Sequence, residues 1–219
     1  MGESMWPEAE PTARLLIGVK QGNSEAVDQL LARYRESLKR LIDLRLDKRV
    51  AGRVDVSDVV QDVLIEAHRR LQVYLEDPVM PFHLWIRQIA KDRLIDAHRR
   101  HRASAKRSVD REQRLQLPAA MDASSVELAG QLMDPELTPA ARATQREMAH
   151  RVQACIAELE EHDQDILLMR HYEQLSNQDV AAVLGLSEPA ASMRYLRALK
   201  RLRAVIESRP AGSVEDFQT

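Results

Sequence analysis

The sequence predicts an all-α fold in which two small helical domains are joined by a flexible acidic linker. Three observations carry this reading. Glycine is scarce, at seven of 219 residues, and aromatic residues make up only 4% while charged residues reach 30%. Leu, Ala, Arg, Gln and Glu dominate, all side chains that lose little freedom in a helix. Apolar residues recur at three- and four-residue spacing along most of the chain. No apolar run approaches the ~20 residues needed to span a bilayer, and the opening MGESMWPEAEPTA lacks the charged-then-apolar order of an export signal. A cytoplasmic protein with no membrane partner is therefore expected. Cys155 is the only cysteine, which excludes an internal disulfide and any Cys-pair zinc site.

Residues 1–11 read as a disordered tail. A first helix spans Thr12 to Gln21 and ends at Gly22. Ser24 caps a longer second helix with Val27, Leu30, Leu31, Tyr34, Leu38, Leu41 and Ile42 on one face. Ser57 caps a third, with Val60, Val63, Leu64, Ala67, Leu71 and Tyr74 inward. Prolines 78 and 81 impose a break over Leu75–Pro81. A fourth helix starts near Phe82, buries Trp85, Ile86, Ile89, Ala90, Leu94 and Ala97, and runs out past Arg102. These elements form a domain over 12–107, large enough for its own core. Trp85 lies on the buried stripe and reads as core.

Periodicity weakens over 108–138, where Pro118, Gly130 and Pro135 accompany clustered Ala and Ser. This segment reads as the linker, with one fragile helix near Ser125–Met133. Thr138-Pro139 has the cap-then-proline form of a helix start. The helix that follows buries Met148, Val152, Cys155, Ile156 and Leu159, and the next, from Asp163 to about Tyr172, points Ile166, Leu167 and Met169 inward. The second domain covers 139–208, and 209–219 form a second disordered tail.

Within that domain, Ser176-Asn-Gln-Asp179 has the form of a capping box, with Asp in place of the usual Glu or Gln. Val180, Ala181 and Leu184 face inward, Gly185 stands where a left-handed C-cap is needed, and Ser187 caps a second helix with Pro189 in its first turn. A short helix, a tight glycine turn and a long basic helix make the pattern of a DNA-binding helix-turn-helix. Its second helix packs Ala191, Tyr195, Ala198 and Leu202, and presents Pro189, Ala190, Ser192, Met193, Leu196 and Arg197 outward. The competing reading is a plain helical hairpin with a solvated basic face. Basic residues concentrate on that helix as phosphate neutralisation requires and core packing does not.

Charge is segregated along the chain. Trp85 to Arg107 holds eight Lys or Arg against two acids, Glu188 to Arg203 holds five against one, and the segment between is mainly acidic, giving a net −2. Two separated basic helices suggest two footprints on one nucleic acid.

Three stretches then resemble one family. Asp58-Val-Val-Gln61-Asp62-Val63 resembles the Asp-Leu-x-Gln-Glu-x-Phe signature of region 2.2 in sigma-70 family factors. Ile89 through Arg100 is similar to regions 2.3 to 2.4, and Leu175–Arg203 to region 4.2. Order and spacing match the extracytoplasmic-function (ECF) group over about 12–107 and 139–205. The resemblance implies that Asp58, Gln61 and Asp62 dock on the β′ clamp helices of core RNA polymerase. It implies that the break and the helix after it open the −10 element and hold a flipped base, with Lys91, Asp92, Arg93, His98, Arg99, Arg100 and Arg102 on promoter DNA. It places Pro189, Ala190, Ser192, Met193, Arg194, Arg197 and Arg201 at the −35 element, with Lys200 and Arg201 also candidates for phosphate or the polymerase β flap.

Two departures from the family pattern bear on base reading. Asp92 stands where Asn is common, and either accepts a hydrogen bond from a base amino group or pairs with a basic neighbour. Ser192 replaces a common Lys or Arg. The linker is either a solvated tether or threads the polymerase channels, with Asp122, Glu127, Asp134 and Glu136 imitating nucleic-acid charge. Many relatives are held by an anti-sigma factor, a further partner the resemblance allows.

An enzyme is the contrasting class. His98 with His101, or His162 with Asp163, Asp165 and His171, would be the imaginable metal or hydrolytic groups. The first pair sits among arginines whose field opposes a cation, and the second group lacks a convergent constellation. No phosphate loop or nucleophile elbow is present, so neither catalysis nor a cofactor is expected. The other rival is a simple promoter-binding regulator, which has no need of Asp58, Gln61 and Asp62.

Overall fold

The computed structural model describes residues 5–46, 54–105 (side chains to 100), 124–125, 127–128, 149 and 151–208. All secondary structure among them is helical. The chain divides into two compact units, Met1–Gln113 and Arg114–Thr219.

Four helices build the first unit: α1 (Ala9–Lys20), α2 (Ser24–Arg45), α3 (Val56–Glu76) and α4 (Phe82–Ala105). α2 packs against all three others, and α3 packs along α4. The expected tail over 1–11 is corrected in its second half. α1 begins at Ala9, with Pro11 in the first turn, where no helical N–H is lost. Met5 and Trp6 are buried, and the Met5 carbonyl accepts a 2.6 Å hydrogen bond from Ser37 Oγ. An indole covered on α2 recovers more than the ordering of a few residues costs.

Two caps sit elsewhere than Ser24 and Ser57. Asn23 caps α2, its side-chain oxygen accepting from the Glu25 and Ala26 amides at 2.9 and 3.3 Å. Gly22, at φ +80°, makes the left-handed turn that brings Asn23 there. Asp55 caps α3 by accepting from the Ser57 amide at 2.8 Å. In both cases a carbonyl or carboxylate just upstream of the serine reaches the free amides first.

α3 continues to Glu76, so the break narrows to Asp77–Pro81. Tyr74 Oη donates to the Met80 carbonyl at 3.0 Å and ties the break to α3. Five of the eight aromatic residues gather at this point. Phe82 lies 5.0 Å from Tyr34, 5.5 Å from Tyr74 and 5.2 Å from Trp85, while Trp6 extends the group beyond Tyr34 at 6.4 Å. Trp85 is only half-buried, stacked 4.7 Å from Tyr74. Leu84 takes a fully enclosed position that the periodicity had given to Trp85.

The second unit contains helical residues 151–156, α5 (Glu161–Leu167), a π-helical turn (Leu168–Tyr172), α6 (Asn177–Leu184) and α7 (Glu188–Ser208). Val152, Cys155, Ile156, Ile166, Leu167, Val180, Ala191, Ala198 and Leu202 are wholly enclosed, and Leu159 and Met169 nearly so. Within the segment read as the linker, the start of the helix expected near Ser125–Met133 is present. Ser125 and Leu128 are helical and fully buried in this unit. Ser125 Oγ is hydrogen-bonded to Tyr172 Oη at 2.8 Å and accepts from Gln153 Nε2 at 2.9 Å. A buried tyrosine needs a partner for its hydroxyl, and the segment read as a tether supplies it. The expected helix start at Thr138-Pro139, the burial of Met148 and the remainder of the fragile helix lie outside the described residues.

Candidate nucleic-acid and polymerase interface

α3 turns two faces in opposite directions. Val59, Val60 and Val63 enter the core, which leaves Asp58, Gln61 and Asp62 exposed on the other side. Ile65 continues that outer stripe one turn on at 59% exposure, a residue missed because the periodic pattern singles out only inward apolar positions. Asp62 Oδ2 lies 3.6 Å from Arg100 Nη2 on α4. Both side chains are about half exposed or more, so the pair contributes ~0–1 kcal/mol.

The basic helix α4 splits its residues into two groups. Lys91, Asp92, Ile95 and Arg99 form an exposed stripe, and no described residue forms an ion pair with Asp92. His98 is half-buried. Arg93 turns toward α3, where Glu66 Oε2 is 3.6 Å away, and also pairs with Asp96 at 3.5 Å. Glu66 is buried and further held by Arg70 and Arg69. Burial alone would raise the Glu66 carboxyl, but the hydrogen bond and charge of Arg70, with the charges of Arg69 and Arg93, outweigh it and hold the group below its ordinary value. The sequence signal for this cluster was an acid one turn beyond Val63 on the inward face and four residues before Arg70. The side chain of Arg102 lies outside the described residues.

The helix-turn-helix in the second unit has the expected local chemistry. Ser176 Oγ accepts from the Asp179 amide at 3.0 Å while Asp179 Oδ2 accepts from the Ser176 amide at 3.2 Å, completing the capping box. Gly185 adopts φ +63°, and the Leu186 amide then reaches the Ala181 carbonyl. Ser187 Oγ accepts from the Ala190 amide at 3.3 Å, and Asn177 Nδ2 donates to the Glu188 carbonyl at 3.0 Å across the turn. Ala191, Ala198 and Leu202 form the buried seam of α7, with Tyr195 half-buried beside them. Pro189, Ala190, Met193, Leu196 and Arg197 are exposed, and Ser192 and Arg194 are half-buried.

Arg201 is held inside its own unit. It donates to the carboxylate of Asp163, a buried group in the first turn of α5, and lies 3.3 Å from His162 Nε2. Hydrogen bonding to Asp163 raises the Arg201 pKa further above its ordinary value. No group of three or more His, Cys, Asp or Glu side chains suited to a metal occurs among the described residues.

His171, by contrast, is buried and hydrogen-bonded through Nε2 to Tyr195 Oη at 2.8 Å. Burial, aided by the charge of Arg170, lowers its pKa to about 4. The folded unit thus keeps this imidazole neutral, whereas the unfolded chain takes up a proton below about pH 6.5. Stability is fully present above pH 6.5 and declines as pH falls toward 4, by an amount on the order of 3 kcal/mol. Denaturant unfolding of wild type and His171→Gln across this range checks the expectation. The variant should lose this part of the slope.

A helical bundle followed by a separate unit that ends in a helix-turn-helix defines a two-module transcription-factor class. Residues 30–104 match Sigma-70 region 2, and residues 149–202 match Sigma-70, region 4. The chain belongs to the sigma-70 family, in its extracytoplasmic-function group. It is 29% identical over 189 residues to the RNA polymerase sigma factor CnrH of Cupriavidus metallidurans, covering 85% of this chain and 90% of that one. Identity to the ECF RNA polymerase sigma-E factor of Haemophilus influenzae is 26% over 193 residues, or 88% and 94% of the two chains. The fold is similar to that of CnrH in complex with the cytosolic domain of CnrY, at TM-score 0.52 and 23% identity over 90% of this chain and 97% of that one. It is also similar to that of the sigma factor RpoE in complex with the anti-sigma factor NepR from Bartonella quintana, at TM-score 0.51 and 17% identity over 84% and 98%. No described helix is long and apolar enough to cross a membrane.

Proposed function

We propose that this sigma factor binds core RNA polymerase through Asp58, Gln61 and Asp62 on α3, opens the −10 element along α4 and reads the −35 element with α7. The observation that carries the reading is the outward placement of Asp58, Gln61 and Asp62 on a helix whose opposite face is packed core. Acids and an amide in that position suit basic groups of a partner. Lys91, Arg99 and Arg100 supply cations to the opened strand, with His98 beside them, and Asp92 is free to accept from a base amino group. Arg93 and Arg201 are assigned instead to packing within their own units, Arg93 through Glu66 in the first and Arg201 through Asp163 in the second. Arg194 and Arg197 serve phosphate or guanine. The complexes formed by the structural relatives support an anti-sigma factor as a further partner. The site of action is the cytoplasm, where promoter and polymerase meet.

The test is to mix the protein with core polymerase and a promoter library. The expected outcome is a stable complex and selective initiation, with thymines around −10 becoming reactive to permanganate. Absence of both complex and selected transcripts overturns the reading.

A further inference from the structure

Among the described residues of the second unit, two large apolar side chains are exposed, Met193 at 50% and Leu196 at 55%. They are neighbours, three residues apart on α7. Pro189, Met193, Leu196 and Lys200 recur at three- and four-residue spacing on the side opposite the buried seam of Ala191, Ala198 and Leu202. The first two turns of a recognition helix are the part that meets base edges. In those turns the outermost side chains, Pro189, Ala190 and Met193, carry no strong hydrogen-bond donor. Ser192 and Arg194 lie half-buried at the flanks, and Arg197 and Lys200 follow as exposed cations.

An apolar strip followed by cations fits one surface well, a major groove. Its floor offers a single apolar group, the thymine C5-methyl, and its walls are phosphates. A protein partner fits less well, because two side chains give far less than the ~800 Å² per side of a stable protein interface. We propose that Met193 and Leu196 determine −35 specificity by contacting thymine methyl groups, in place of hydrogen bonds from this part of the helix. This rests on the docking of α7 at the −35 element proposed above.

Deoxyuridine provides the test, because it pairs like thymidine and lacks only the methyl. Holoenzyme is assembled from the full chain and core polymerase, on a promoter obtained by start-site mapping. Each −35 thymine is replaced in turn, and affinity is measured alongside a −35 footprint. Loss of one methyl contact should weaken binding about fourfold, the equivalent of one buried CH₂. Met193→Ala should bind the thymine promoter more weakly and show no further loss on the deoxyuridine promoter, while Met193→Leu should restore sensitivity. Both positions are exposed, so these variants fold. If region 4 protects the −35 element and no deoxyuridine changes affinity, the methyl reading is overturned and the docking stands. Unchanged DNA affinity of Met193→Ala and Leu196→Ala on every duplex assigns the strip to a protein and also overturns it. Loss of any −35 protection by the wild type overturns both.

Discussion

Leu128→Ala should destabilise the second unit by about 2–5 kcal/mol, as removal of an enclosed leucine does, although its sequence neighbourhood has the composition of a linker. Leu128 is fully buried and lies one turn beyond Ser125, whose hydroxyl is bound to Tyr172 and Gln153. A solvated tether would register within about 0.5 kcal/mol. Hydrogen exchange under increasing denaturant separates the outcomes. Amides of 151–156, α5 and α7 should lose protection together, and those of α1 to α4 should be unchanged. If the second unit is as stable as wild type, the segment is a tether after all.

The second large effect is expected at the polymerase. Gln61→Ala combined with Asp62→Ala should weaken binding to core enzyme by about 2 kcal/mol or more, roughly 30-fold, as removal of desolvated interfacial hydrogen bonds and charge does. Folding should survive, because both residues are exposed and Asp62 has only the weak surface pair with Arg100. Competition binding against labelled wild type measures the effect, with circular dichroism as the check on folding. Unchanged affinity in a folded variant moves the docking face elsewhere.

These cases show where the sequence is legible. α2, α3 and α7 were readable because their apolar residues repeat with the helical period and meet one another in the core. The capping box of Ser176 and Asp179 and the left-handed Gly185 were readable because each depends on chemistry within a few residues. Ser125 was not, since its partners Tyr172 and Gln153 lie 47 and 28 residues away. Met5 and Trp6 were misjudged for the same reason, their burial being decided by Ser37, Tyr34 and His83.

At the candidate site, the outward faces of α3 and α7 followed directly from the period of the inward ones. What charge counting could not do was sort the arginines. Arg93 and Arg201 look like any other basic residue of their helices until Glu66 and Asp163 are brought beside them by the fold. A buried carboxylate draws a guanidinium inward because leaving it unpaired costs several kcal/mol. The number of cations available to DNA is therefore smaller than the two basic blocks suggest.

The aromatic cluster around Phe82 gives the protein an intrinsic optical label. Its only tryptophans, Trp6 and Trp85, both belong to the first unit, whereas Tyr172 and Tyr195 serve the second. Indole emission thus reports on the first unit alone. Trp85, half-exposed at the start of α4, stands next to the break assigned to the flipped base, so stacking of a base there would quench it. The strand opening proposed for α4 would then be followed on the unmodified factor, with no dye attached to either partner.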